Sequence, residues 1–121
     1  MITNFEDITH EMTEDEKKLV PILIKGFTAY GKSNPIKAPD VISRLKQKGY
    51  KITEPRLRKI INFIRSEGIL PLIGTSKGYF VSYEREVIAD QIKSLQERAD
   101  SIANSAQGLK KFLISNEKEM Y

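Results

Sequence analysis

Residues 53–82 change the period of their apolar residues part-way along, and that change limits the folds open to the chain. Leu57, Ile60, Ile61 and Ile64 recur at i, i+3, i+4 and i+7, which makes one stripe of an α-helix. At about 100° per residue, Pro55, Lys59, Asn62 and Ser66 fall on the opposite side, with Arg56 and Arg58 flanking them. Gly68 follows, a residue suited to the left-handed backbone that ends many helices. Residues 69–75 and 78–83 then alternate about Ser76-Lys77-Gly78, the pattern of a small β-hairpin. Pro71 puts the first strand at an edge or a bulge. A helix with one buried stripe needs other helices to cover it, so the fold expected is mainly α with a small β-hairpin, of the α+β class.

The preceding residues supply those helices. Thr13-Glu14-Asp15-Glu16 is a capping box, in which the hydroxyl and the carboxylate three residues on satisfy each other's amides. A first helix is predicted from there to about residue 30, with Leu19, Leu23 and Phe27 inward and a kink from Pro21. Residues 31–35 read as a loop, and residues 36–38 as a short strand beside the hairpin. Pro39 and Asp40 open a second helix to about residue 48, with Val41, Ile42 and Leu45 inward and Gly49 ending it. Ile52 is expected beneath the third helix, and Thr53 caps it.

The last element is long. Ile88, Ile92, Leu95, Ala99, Ile102, Ala106, Leu109 and Leu113 are spaced alternately four and three apart, a heptad repeat. Its narrow stripe suggests that the first turns, at Val87 and Ile88, fold back on the preceding domain and the rest pairs with a second copy through Ile92, Leu95, Ala99, Ile102, Ala106 and Leu109; the alternative is a helix that folds back along its whole length. Gly108 is expected to break the last turn. The organisation predicted is a flexible acidic arm at 1–12, a globular domain at 13–83, a C-terminal helix forming a dimerisation coiled coil at 84–114, and a flexible tail at 115–121.

Charge is unevenly placed. Residues 1–16 hold Glu6, Asp7, Glu11, Glu14, Asp15 and Glu16 with no Lys or Arg, whereas residues 44–65 hold Arg44, Lys46, Lys48, Lys51, Arg56, Arg58, Lys59 and Arg65 against Glu54 alone. The net charge is +4. A basic cluster on a small fold is an electrostatic footprint for phosphate. There is no cysteine, which excludes disulfides, thiolate zinc sites and a cysteine nucleophile. The longest apolar run is far too short to span a bilayer, and the acidic, polar first residues do not read as a secretory leader. A cytoplasmic location and no membrane partner are expected.

Helix, short strand, helix, turn, basic helix, hairpin and trailing helix is the order of a winged helix-turn-helix domain. Lys48-Gly-Tyr-Lys-Ile-Thr, Arg56-Leu-Arg-Lys-Ile-Ile-Asn-Phe-Ile-Arg and Ile73-Gly-Thr-Ser-Lys-Gly-Tyr-Phe-Val resemble winged helix-turn-helix proteins of bacterial prophages, over roughly residues 13–105. The resemblance implies DNA binding in transcription control or phage replication. The third helix would then lie in the major groove. Arg56, Lys59 and Asn62 are expected near base edges and Arg58 and Arg65 nearer phosphate. Lys46, Lys48 and Lys51 around the turn would hold backbone phosphates, and Lys77 at the hairpin tip would reach a flanking phosphate or the minor groove. The partners expected are double-stranded DNA and a second copy, reading half-sites about one DNA turn apart.

Catalytic chemistry finds little support. His10 is the sole histidine and lies in the acidic arm; its neighbours Glu6, Asp7 and Glu11 read as helix-start and solvated charge rather than metal ligands, and no Ser-His-acid set can be assembled. Residues 26–33 match Gly-x4-Gly-Lys-Ser formally, but a phosphate loop follows a strand and opens a helix, whereas this stretch ends a helix and meets Asn34-Pro35. No enzyme activity, metal or cofactor is expected. The competing expectation is a protein-interaction or assembly module, with the coiled coil as its working part and no DNA binding.

Overall fold

The computed structural model describes residues 11–116, and the chain forms two compact units, Met1–Glu84 and Arg85–Tyr121. Among the described residues the first holds three helices and a hairpin: α1 Glu14–Phe27, α2 Ala38–Gln47, α3 Glu54–Ser66, β1 Leu72–Thr75 and β2 Gly78–Val81. The second is α4, Arg85–Ser115. The architecture is therefore mainly helical with a two-stranded antiparallel sheet.

Each helix of the first unit stops where local chemistry dictates. Thr13 and Glu16 form the capping box of α1: the Thr13 amide donates to Glu16 Oε1 at 2.8 Å and the Glu16 amide to Thr13 Oγ1 at 3.2 Å. α1 continues through Pro21 as one helix and ends at Phe27, three residues short of the sequence expectation. Thr28 closes it, and Tyr30 turns back to the Phe27 carbonyl. α2 and α3 both end in Schellman motifs. Gly49 (φ 93°) and Gly68 (φ 64°) take the left-handed position. The Tyr50 amide reaches the Leu45 carbonyl and the Ile69 amide the Ile64 carbonyl. Thr53 has the extended dihedrals of an N-cap, but its side chain makes no cap hydrogen bond, contrary to expectation.

The core is one cluster in which Leu57, Ile60, Ile61 and Ile64 of α3 meet Leu19, Leu23 and Phe27 of α1, Val41 and Leu45 of α2, and Ile36, Leu70 and Leu72. Full burial of each α3 residue contributes about 2 kcal/mol of transfer free energy before chain entropy opposes it. Ile42 and Ile52 pack at its margin. Met12 does too, so the end of the expected arm is held down; the rest of it, residues 1–10, lies outside the described residues. At the other end, Ser115 is helical and the Asn116 amide still donates to the Phe112 carbonyl; the remaining tail also lies outside them.

The hairpin pairs Leu72 with Val81, Ile73 with Phe80, Gly74 with Tyr79 and Thr75 with Gly78. Both strands are shorter than predicted. The first starts only after Pro71, and the expected strand at 36–38 reduces to one bridge, Ile36 to Tyr79, with hydrogen bonds of 2.8 and 2.7 Å. Gly78 makes that bridge possible. Its φ is 129°, and a Cβ there would sit 2.7 Å from the Ile36 carbonyl carbon and oxygen.

α4 is 31 residues long with no buried residue. Gly108 lies inside it and does not break it. No helix among the described residues is long and apolar enough to cross a membrane.

Candidate nucleic-acid interface

α3 presents three different flanks beyond its buried stripe. Arg56 and Lys59, three residues apart, project toward α1, where the carboxylate of Glu16 is only 3 % exposed. Lys59 Nζ donates to Glu16 Oε1 at 2.9 Å and to the Glu11 carbonyl at 2.6 Å, leaving the Lys59 side chain 12 % exposed. Arg56 Nη1 lies 3.4 Å from Glu16 Oε2. Lys59 is turned inward, contrary to expectation, and Arg56 is half-buried. A carboxylate at the third position of α1, packed against α3, needs cations from that side of the helix. Burial by itself would raise the Glu16 carboxyl. The Thr13 amide, the Lys59 ammonium and the Thr13 hydroxyl more than reverse this, holding it below the ordinary carboxylate value.

The opposite flank carries Arg65. Its Nε donates to the Leu72 carbonyl at 2.8 Å, and its guanidinium carbon stands 6.0 Å from the centre of the Tyr79 ring, within cation–π range. Gly74 leaves the space for this stack, since a Cβ there would meet Arg65 Nη2 at 2.9 Å and Tyr79 Cε1 at 3.1 Å. Arg65 therefore ties the end of α3 to both strands of the hairpin, a structural task that the sequence reading did not assign to it.

The third flank faces solvent: Pro55, Arg58, Asn62 and Ser66 are exposed. Arg58 reaches back one turn to Glu54 at 2.7 Å, with its side chain 66 % exposed. Lys46 near the end of α2, Lys48 at its C-cap, Lys51 in the turn and Lys77 in the hairpin loop are also exposed. Arg44, which sequence reasoning counted only as charge, stands over the Tyr30 ring at 5.7 Å.

Glu16 was legible as a cap but not as a brace. Its separations of three and seven residues from Leu19 and Leu23 put it on the buried stripe of α1, and that was the available signal. No signal local to Arg65 could have found its partners, which come from the hairpin.

The six heptad residues proposed for dimerisation, Ile92, Leu95, Ala99, Ile102, Ala106 and Leu109, all lie on α4. Ile92, Ile102 and Leu109 are 50, 71 and 72 % exposed. Among the described residues no group of three or more His, Cys, Asp or Glu is placed to hold a metal ion. Comparison of the chain with protein-family models, with curated proteins and with solved structures found no match.

Proposed function

We propose that this chain is a double-stranded DNA-binding module of the winged helix-turn-helix type, working as a homodimer in the cytoplasm in transcription control or replication. The observation that carries the reading is the exposure of Arg58 on α3 together with Lys46 and Lys48 at the end of α2, Lys51 in the turn and Lys77 in the hairpin loop. α3 enters the major groove with Arg58 and Asn62 foremost, Asn62 being able to pair with adenine and Arg58 with guanine. The turn lysines hold phosphates and set the register, and Lys77 on the short hairpin reaches a flanking phosphate. Arg56, Lys59 and Arg65 contribute by fixing the angle of α3 against α1 and the hairpin.

A protein-interaction or assembly module is the second reading. It is favoured by the ion pairs that occupy Arg56, Lys59 and Arg58, three cations of α3. Charge reversal separates the two, and Lys59 is unsuitable for it because of Glu16. Arg58→Glu with Lys48→Glu and Lys51→Glu is expected to abolish retention of a duplex in a mobility-shift assay while sedimentation stays unchanged. Undiminished retention, or no retention by the unaltered chain, would overturn the DNA reading.

A further inference from the structure

We infer that α4 pairs with α4 of a second copy in antiparallel orientation, in the one register where residue numbers facing each other add up to 201. The inference rests on the homodimer put forward above and specifies its geometry. Reversing one helix of a coiled coil sets each a residue against a d residue of the other. In this register Ile88 faces Leu113, Ile92 faces Leu109, Leu95 faces Ala106 and Ala99 faces Ile102, and the second half of the seam repeats the first by symmetry. All eight heptad positions find a partner. Each alanine meets a large residue, so every layer has one bulky side and a matching or smaller one.

A parallel pair has no such solution. In register, Ala99 would face Ala99 and Ala106 would face Ala106, giving two underfilled layers beside the bulky layers of Ile102 and Leu109. Such gaps forfeit contact and are destabilising.

Charge points the same way. The first half of α4 carries Glu86, Asp90, Glu97 and Asp100 against Arg85, Lys93 and Arg98, a net −1, and the second half carries Lys110 and Lys111 without an acid before residue 117. Parallel pairing would gather four lysine ammoniums at one end. Antiparallel pairing separates them into two pairs at opposite ends of the seam. The helix dipoles also oppose rather than reinforce. Along the flanks, Arg98 comes opposite Ser105, Gln96 opposite Ala103, and Phe112, 64 % exposed in the single chain, lies beside Val87 and Gln91 of the other copy.

The absence of cysteine makes the test direct. Ile92→Cys and Leu109→Cys are made as separate full-length chains, each checked by circular dichroism and sedimentation, then mixed in denaturant, refolded and treated with a mild oxidant or a short bis-maleimide. The expected result is a cross-linked dimer in the mixture and almost none in either chain alone. In the antiparallel register like residues lie about 25 Å apart along the axis, at about 1.5 Å per residue. Ile88→Cys with Leu113→Cys repeats the test at the ends of the seam, where a side-chain change disturbs packing least. Cross-linking of each variant with itself would overturn the antiparallel register and leave the homodimer standing. A monomeric unaltered chain in sedimentation equilibrium would overturn both, without bearing on duplex retention.

Discussion

Lys59 places its ammonium 2.9 Å from the Glu16 carboxylate, and this contact, 43 residues apart in sequence, joins the capping box of α1 to the flank of α3. The same carboxylate caps its own helix through Thr13 and receives Arg56. One acid thus sets the start of α1 and the rotation of α3 about its axis. Lys59→Met keeps the apolar stem and removes the charge. It is expected to cost about 2 kcal/mol of stability, the scale of a lost hydrogen bond to a charged group, read as a lower urea midpoint at unchanged slope. A variant as stable as the parent that loses duplex affinity would place Lys59 on the DNA instead.

Glu16 also makes stability depend on acid. Its folded-state carboxyl is held below the ordinary value, while in the unfolded chain a Glu titrates near about 4.3. Between the two the unfolded state binds more protons. The stabilisation is therefore complete above the unfolded value and is lost as pH falls through the folded one. Urea midpoints taken from about pH 6 down to about pH 3 should fall less steeply for Glu16→Gln than for the parent. Parallel curves would show that the carboxylate contributes nothing specific.

Gly78 is where the hairpin meets the chain ahead of α2. With φ at 129° and a virtual Cβ 2.7 Å from the Ile36 backbone, Gly78→Ala is strained in conformation and in space. A loss of roughly 2 kcal/mol or more is expected, about 10 °C in melting temperature for a unit of this size. Gly74→Ala acts differently, because the nearest atoms are side chains of Arg65 and Tyr79. It should unseat the Arg65 stack at smaller cost. Equal losses at the two glycines would count against the backbone argument at Gly78.

Periodicity made the helices and their inward residues legible, because Leu57, Ile60, Ile61 and Ile64 can share a face in one conformation only. Gly49 and Gly68 marked two helix ends for the same local reason. The outward face was harder. Spacing places Lys59 opposite the α3 stripe within one helix, yet a long side chain bends toward whatever charge a neighbouring helix offers, and Glu16 is reached only after the fold has formed. Arg65 is the same case, its partners Leu72 and Tyr79 being set by the hairpin. Ends of strands were overestimated where Pro71 cannot donate and where Gly78 permits just one bridge to Ile36.

The exposed lysines should be visible in the salt dependence of binding. Each phosphate contact adds about 0.9 to the magnitude of the slope of log affinity against log salt. Replacing Lys46, Lys48 and Lys51 by Gln should lower that magnitude by about 0.9 for each contact that is real, with sequence preference unchanged. Asn62→Ala should leave the slope intact and cost about 1–3 kcal/mol on a preferred site alone. Arg56→Gln, whose side chain is 36 % exposed and turned to Glu16, should lower stability with little change in slope. Fluorescence anisotropy on a duplex selected from random sequences, over a salt series, measures all three. A slope that stays the same when the three turn lysines are removed would mean that the basic cluster does not touch phosphate, and the helix-turn-helix reading would fall with it.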